Sequence, residues 1–89
     1  MEAYYIDISY YKGGTVIIEQ RPVMGDFCKV NAVGKCNNLA DKGLDGRLSV
    51  EQSENRDSTT VSIHSLKRED EGDYRFGHKK LELKLLQGQ

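Results

Sequence analysis

The chain has 89 residues, of which 37% are hydrophobic and 30% charged, a composition typical of a folded globular domain rather than of a disordered segment. Its 13 basic and 14 acidic side chains leave a net charge of −1, which excludes the strong basic field that attracts nucleic acid or an anionic membrane. No apolar run approaches the length of a membrane span, and the start, MEAYYIDIS, lacks the basic and apolar regions of a signal peptide. We expect residues 1–89 to form a single domain.

Apolar and polar residues alternate along most of the chain, which predicts short, half-buried strands. In YIDISY the side chains of Ile6, Ile8 and Tyr10 share one face, and TVIIEQ follows the same rule. The alternation returns in RLSVEQ, TVSIHS and LELKLL, with turn residues between the runs. Residues 37–44 are the only helical candidate, and LKRED predicts a single helical turn. The sequence therefore predicts an all-β sandwich.

Two cysteines, Cys28 and Cys36, lie in the stretch CKVNAVGKC. An even number of cysteines is typical of a disulfide in an extracellular chain, whereas a cytosolic chain keeps such cysteines reduced. The count alone leaves both interpretations open.

The run DEGDY, residues 70–74, is similar to the D-x-G-x-Y corner of variable-type immunoglobulin domains. This resemblance implies that the hydroxyl of Tyr74 bonds back to the upstream backbone and that Arg47, which opens RLSV, pairs with Asp70. The segments KGGTVIIEQ, DFCKVNAVGKC, GRLSV and LKREDEGDY follow one another as in the polymeric immunoglobulin receptor group and its single-Ig leukocyte-receptor relatives. The implied fold is an immunoglobulin-like sandwich of the variable type.

Domains of that group carry a disulfide between strands C and C′, and the resemblance implies that Cys28 and Cys36 form it. A ring this short stabilises the fold by roughly 2–3 kcal/mol through the entropy lost by the unfolded chain. The usual disulfide between the two sheets is absent from the sequence, because Gln20 and Phe76 stand in place of its two cysteines. A crosslink over so long a loop is worth about 4 kcal/mol.

Side-chain packing must fill the volume left by that missing disulfide. Phe27 also replaces the usual strand-C tryptophan. We expect the volume to be filled by five apolar side chains, namely Ile18, Phe27, Leu48, Ile63 and Phe76. Gln20 is expected to point inward with a hydrogen-bond partner, because an unpaired buried amide costs about 1–3 kcal/mol.

The connecting loops are shorter than antigen-reading loops: the B–C connection spans about residues 21–26 and the F–G turn about residues 77–80. Residues 37–46 are too few for the group's C′–D region, so a C″ strand is not expected. Recognition would then use a sheet face, an exposed edge or the C–C′ region. The expected binding surface comprises Lys29, Val30 and Asn31 in the clamped hairpin and the basic turn His78, Lys79 and Lys80.

Catalysis and metal binding have weaker support than structural roles. A nucleophilic Cys28 needs a base, but His64 is expected to point outward and His78 lies on a separate element. The spacing of Cys28 and Cys36 is not that of a zinc knuckle, and the carboxylates of residues 69–73 are explained by the corner. We expect no enzymatic activity, no cofactor and no metal.

The sequence leaves three functional hypotheses. The first is a ligand-binding extracellular module of an immune cell-surface receptor, whose partner is a protein, with an immunoglobulin among the candidates, or a lipid head group. The alternative is a structural or docking module of an intracellular scaffold or filament protein, with reduced cysteines. The third is a homodimer formed through a sheet face or edge. Nucleic acid is not expected as a partner.

Overall fold

The structure is a computed structural model that describes residues 4–21 and 26–86, and its ordered elements are eight strands and one short 3-10 turn. The strands are β1 (Tyr4–Tyr10), β2 (Val16–Gln20), β3 (Phe27–Val30), β4 (Cys36–Asn38), β5 (Leu48–Gln52), β6 (Thr59–Ile63), β7 (Gly72–Phe76) and β8 (Lys79–Leu85). The 3-10 turn, Arg68–Asp70, lies in the predicted LKRED segment. The all-β prediction is confirmed.

The strands form two sheets that face each other. One has five strands in the order β1-β8-β7-β3-β4, and the other has three in the order β2-β6-β5. Strand β1 runs parallel to β8, and every other pair is antiparallel. Side chains alternate in burial most clearly along β2, β6 and β7, which gives each sheet one buried and one mostly solvated face.

The buried faces share one core, made of side chains from both sheets. Phe27 lies on β3 of the five-stranded sheet, and its ring stacks on that of Tyr74 on the neighbouring β7, with centroids 5.4 Å apart. The ring of Phe76 meets Phe27 edge-on at 5.7 Å. All five apolar side chains that were expected to fill the space of the missing disulfide are buried: Ile18, Phe27, Leu48, Ile63 and Phe76.

Gln20 is 2% exposed, which confirms the predicted register of strand β2. The expected hydrogen-bond partner is wrong for one of its atoms: Oε1 is buried and no donor among residues 4–21 and 26–86 reaches it. Close to this position the ammonium of Lys79 on β8 donates a 2.6 Å hydrogen bond to the carbonyl of Glu19 on β2. This contact joins the two sheets at the end where the inter-sheet disulfide is absent.

Two local predictions need correction. Residues 37–44 are not helical, because β4 runs to Asn38 and the following turns place Lys42 and Leu44 at φ of +71° and +53°, which no right-handed helix allows. The F–G turn is shorter than predicted, since only Gly77 and His78 lie outside the strands. Residues 39–47 contain no strand, which confirms that C″ is missing.

Candidate functional site

The corner around the 3-10 turn is a dense polar network at one end of the sandwich. The guanidinium of Arg47 donates two hydrogen bonds to the carboxylate of Asp70, at 2.8 and 2.9 Å, and the backbone N–H of Lys67 donates a third. The hydroxyl of Tyr74 donates a 2.6 Å bond to the carbonyl of Asp70, and that of Tyr10 donates to Lys67. The network thus connects β1, β7 and the segment before β5 to one short turn.

The pKa values of this network follow from burial and pairing. Burial acts to raise the pKa of Asp70, but the hydrogen bonds from Arg47 and Lys67 outweigh it, so that the pKa lies below its ordinary value. Burial raises the pKa of Tyr10 to about 12 and also raises that of Tyr74. Asp70 is therefore ionised and both phenols are neutral at physiological pH, which is the state that these hydrogen bonds require.

The hairpin between β3 and β4 is clamped by a disulfide. Cys28 and Cys36 are bonded, with their Cα atoms 5.4 Å apart. At the tip, the side-chain oxygen of Asn31 accepts hydrogen bonds from the backbone N–H groups of Val33 and Lys35. Val33 is 85% exposed. The pairing implied by the resemblance is confirmed, and the hairpin is crosslinked between its strands and hydrogen-bonded at its tip.

The solvated face of the five-stranded sheet carries an ordered set of charges; we call it the outer face. Strand register places Tyr5, Lys80 and Arg75 side by side on β1, β8 and β7. The next outward-facing row on the same strands is Asp7, Glu82 and Asp73. We name Arg75 and Lys80 the basic row, and Asp7, Asp73 and Glu82 the acidic row. Beside them on β3 and β4 lie Val30 and the disulfide.

A shallow depression of about 500 Å³ lies on this outer face. Its rim includes Tyr5, Val30, Asp73, Arg75 and Lys80, while Tyr74 and Leu81 lie at its base. Tyr5 is 60% exposed, and its hydroxyl donates a 2.9 Å hydrogen bond to Glu82, which raises the pKa of Tyr5 to about 12. The depression therefore combines an aromatic ring, an aliphatic side chain and charges of both signs.

The structure places the residues of the predicted binding surface at two ends of the sheet, and Lys29, Val30 and Asn31 line a second depression, of about 450 Å³, at the hairpin between β3 and β4. Lys29 points to the interior side, where its ammonium donates to the carbonyl of Glu69 and lies over the ring of Tyr74. Lys79 donates to β2, as described above. Asn31 organises the hairpin tip, and His78 lies in the turn at the opposite end of the sheet.

Only Val30 and Lys80 from that predicted set line the depression on the outer face. Tyr74 was singled out from the sequence only for the corner, and the expected binding surface did not include Tyr5, Asp73, Arg75 or Leu81. Their signal was present in the alternation, because Tyr5, Asp73 and Arg75 are all outward residues of alternating strands. What the alternation lacks is the strand order, and this order decides which outward residues become neighbours.

Within residues 4–21 and 26–86, no group of three or more His, Cys, Asp or Glu side chains is arranged to hold a metal ion. His64 is exposed, as predicted. The same described residues form no helix that is long and apolar enough to cross a membrane.

Two facing sheets with this strand order, a parallel β1–β8 pair and a D-x-G-x-Y corner define a variable-type immunoglobulin-like domain. Among solved structures, the first Ig domain of the mouse polymeric immunoglobulin receptor matches with a TM-score of 0.69 at 20% identity, over 93% of each chain. This likeness confirms the predicted immunoglobulin fold. A scan against protein-family models finds no match to the sequence, and a search of curated proteins finds none either.

Proposed function

We propose that the chain is a non-catalytic, extracellular receptor module that binds a protein ligand through the outer face of its five-stranded sheet. The observation that carries this proposal is the outer face itself. Arg75, Lys80 and Asp73 form no salt bridge within residues 4–21 and 26–86, although charges of both signs lie side by side there. Charges left unpaired on a rigid surface are available to a partner.

The rigidity of the face supports the proposal. The strands β1, β8 and β7 are paired over their whole lengths, and the disulfide clamps β3 to β4 beside them. A surface that is already ordered loses little conformational entropy on binding, so more of the contact energy is available for affinity. Exposed Tyr and Arg, which are enriched at protein interfaces, are both present at Tyr5 and Arg75.

A protein ligand fits the face better than a lipid head group. The basic row lies next to the acidic row, which cancels the local positive potential that an anionic head group needs. The ammonium of Lys79, which the sequence had grouped with the basic turn, is engaged by the carbonyl of Glu19. An immunoglobulin is the first ligand to test, because the similar mouse domain belongs to a protein named as a receptor for polymeric immunoglobulin.

The ligand and the face are tested together by surface plasmon resonance, with the immobilised domain and polymeric immunoglobulin as the probe. Arg75→Ala should weaken binding about tenfold or more, as expected for an arginine anchor at the centre of an interface. Glu51→Ala, an exposed change on the three-stranded sheet, is the matched control and should leave binding unchanged. Equal binding by both variants would exclude the outer face, and failure of the wild type to bind would exclude this ligand.

The extracellular setting has an independent test. Protein secreted under oxidising conditions and then denatured should show no thiol that reacts with a maleimide, because Cys28 and Cys36 are bonded. Two reactive thiols per chain would instead favour the intracellular scaffold hypothesis, in which the same cysteines stay reduced.

A further inference from the structure

The basic and acidic rows of the outer face form a self-complementary pattern of charges, in which the basic row of one copy can face the acidic row of another. On β8, Lys80 and Glu82 are both outward, and on β7 the outward pair is Arg75 and Asp73. In each pair the basic and the acidic side chain belong to residues two positions apart on one strand, which places their Cα atoms about 6.8 Å apart. The basic members of both pairs lie in one row, because Arg75 pairs with Lys80, and the acidic members lie in the next, because Asp73 pairs with Glu82.

Two copies that meet face to face can be related by a two-fold axis along the strands or across them. An axis along the strands brings equal rows together, so that basic faces basic and acidic faces acidic. An axis across the strands, midway between the rows, places Lys80 opposite Glu82 and Arg75 opposite Asp73 of the other copy. That arrangement opposes four pairs of unlike charge, and it is closed, since each copy uses the same patch.

We propose that the outer face binds a second copy of this chain in this orientation, with the strands of the two five-stranded sheets antiparallel across the contact. This inference rests on the proposed function, because it assigns a partner to the same face. Packed sheets lie about 10 Å apart, a gap that a Lys or Arg side chain spans together with a carboxylate.

The same two-fold axis brings the other residues of the outer face into contacts without charge repulsion. Tyr5 comes to lie opposite Asp7, so a phenol hydroxyl faces a carboxylate. Val30 comes to lie opposite Cys28, so the part of the face beside the charges brings an aliphatic side chain onto the disulfide. No like charges are opposed among these residues, which is the property that excludes wrong orientations in charged interfaces.

The test uses two double variants that reverse the charge of opposite rows. In the first, Arg75→Glu and Lys80→Glu make both rows acidic; in the second, Asp73→Lys and Glu82→Lys make both rows basic. Each variant opposes like charges when paired with itself, so its self-association constant should fall about a hundredfold or more below that of the wild type. A mixture of the two opposes unlike charges at all four positions and should associate again.

The measurement is sedimentation velocity from about 10 μM to about 1 mM, the range of weak transient interfaces. The wild type should associate, and less so at about 1 M salt, because exposed charges are screened. Glu19→Lys with Glu51→Lys is the control on the other sheet and should associate like the wild type. Circular dichroism melts identify any variant that has failed to fold; for such a variant, the milder Lys80→Gln is measured instead and should weaken association about tenfold.

A wild type that remains monomeric throughout, or two variants that associate alone as well as mixed, would overturn the proposal. These outcomes are distinguishable from failure of the proposed function. If Arg75→Ala abolishes immunoglobulin binding while the wild type is monomeric, the face binds a ligand but not a second copy. If the mixture associates while no immunoglobulin binds, the second copy is the partner of the face.

Discussion

At one end of the sandwich, the corner end, Arg47, Asp70 and Tyr74 connect the elements through charge-assisted hydrogen bonds. At the other, the cysteine-free end, Gln20 and Phe76 occupy the positions of the missing disulfide and the sheets meet through packed side chains. Both ends are buried, and each holds one buried polar atom with no hydrogen-bond partner among residues 4–21 and 26–86, Nε of Arg47 at the corner end and Oε1 of Gln20 at the other, but the acceptor oxygens at the two ends are paired differently. The carboxylate of Asp70 accepts three hydrogen bonds, whereas Oε1 of Gln20 accepts none from the described residues.

The difference shows that a sandwich of this kind does not need equal stabilisation at both ends. Polar contacts fix geometry at the corner end, because a bidentate ion pair has only one good arrangement. Apolar contacts at the cysteine-free end stabilise the fold, but they are not directional, so the side chains there can shift slightly. An incompletely paired amide can therefore remain at this end. The following changes test this assignment, beginning with the largest expected effect.

Phe76→Ala should destabilise the domain by about 4 kcal/mol, because it removes a buried aromatic side chain and leaves a cavity beside Phe27. Urea unfolding followed by fluorescence or circular dichroism measures the loss. Phe76→Leu, which keeps most of the apolar volume, is the control and should cost about 1.5 kcal/mol or less. Equal losses for the two variants would mean that packing is not what holds this end.

Arg47→Met should cost about 3 kcal/mol, because it leaves the carboxylate of Asp70 buried without its counter-charge. The double variant Arg47→Met with Asp70→Leu removes both charges and should be more stable than the single variant. If the double variant is the less stable of the two, the unpaired charge is not the source of the loss.

The same ion pair predicts a pH dependence. The pKa of Asp70 is lower in the folded state than its ordinary value of 3.8, so the pair contributes fully above about pH 4 and is lost as the pH falls through the folded pKa. The difference in unfolding free energy between wild type and Arg47→Met should therefore shrink as the pH falls from about 4 to about 2. A constant difference over this range would contradict the assigned ionisation.

Replacing both cysteines, Cys28→Ser with Cys36→Ser, should cost roughly 2–3 kcal/mol, as the short ring constrains little of the unfolded chain. Hydrogen exchange should accelerate most at residues 31–36, because local opening of the hairpin becomes easier, while the amides of β6 and β7 should lose no more protection than the change in global unfolding free energy requires. A loss of protection in β6 and β7 larger than that change would show that the bond also restrains local opening of the sheets.

Gln20→Met should stabilise the domain by about 1 kcal/mol, because it removes a buried oxygen that accepts no hydrogen bond from residues 4–21 and 26–86, while keeping a similar volume. Gln20→Glu is the matched control and should destabilise it, since it buries a charge at the same place. A loss of stability in the methionine variant would show that the amide of Gln20 has a partner in solution.

The sequence predicted the fold well because the signals for it are local. Alternation identified the inward faces of the strands, and the DEGDY run located the corner. The turns after β4 were misassigned as a helix, because positive φ at Lys42 and Leu44 is set by the closure of the chain onto β5 and not by residue type. The sequence did not indicate the depression on the outer face, because Tyr5 comes to lie beside Lys80 only through the parallel pairing of β1 with β8, two strands far apart along the chain.

The bond between Cys28 and Cys36 bridges two adjacent strands of one sheet, and the buried core that joins the sheets contains no cysteine pair. The domain can therefore reach its native topology while both thiols are still reduced, and oxidation can follow as a late step. Folding of the domain would then not require prior oxidation of the cysteines. Reduction of the bond would loosen one surface hairpin and leave the rest of the sandwich folded.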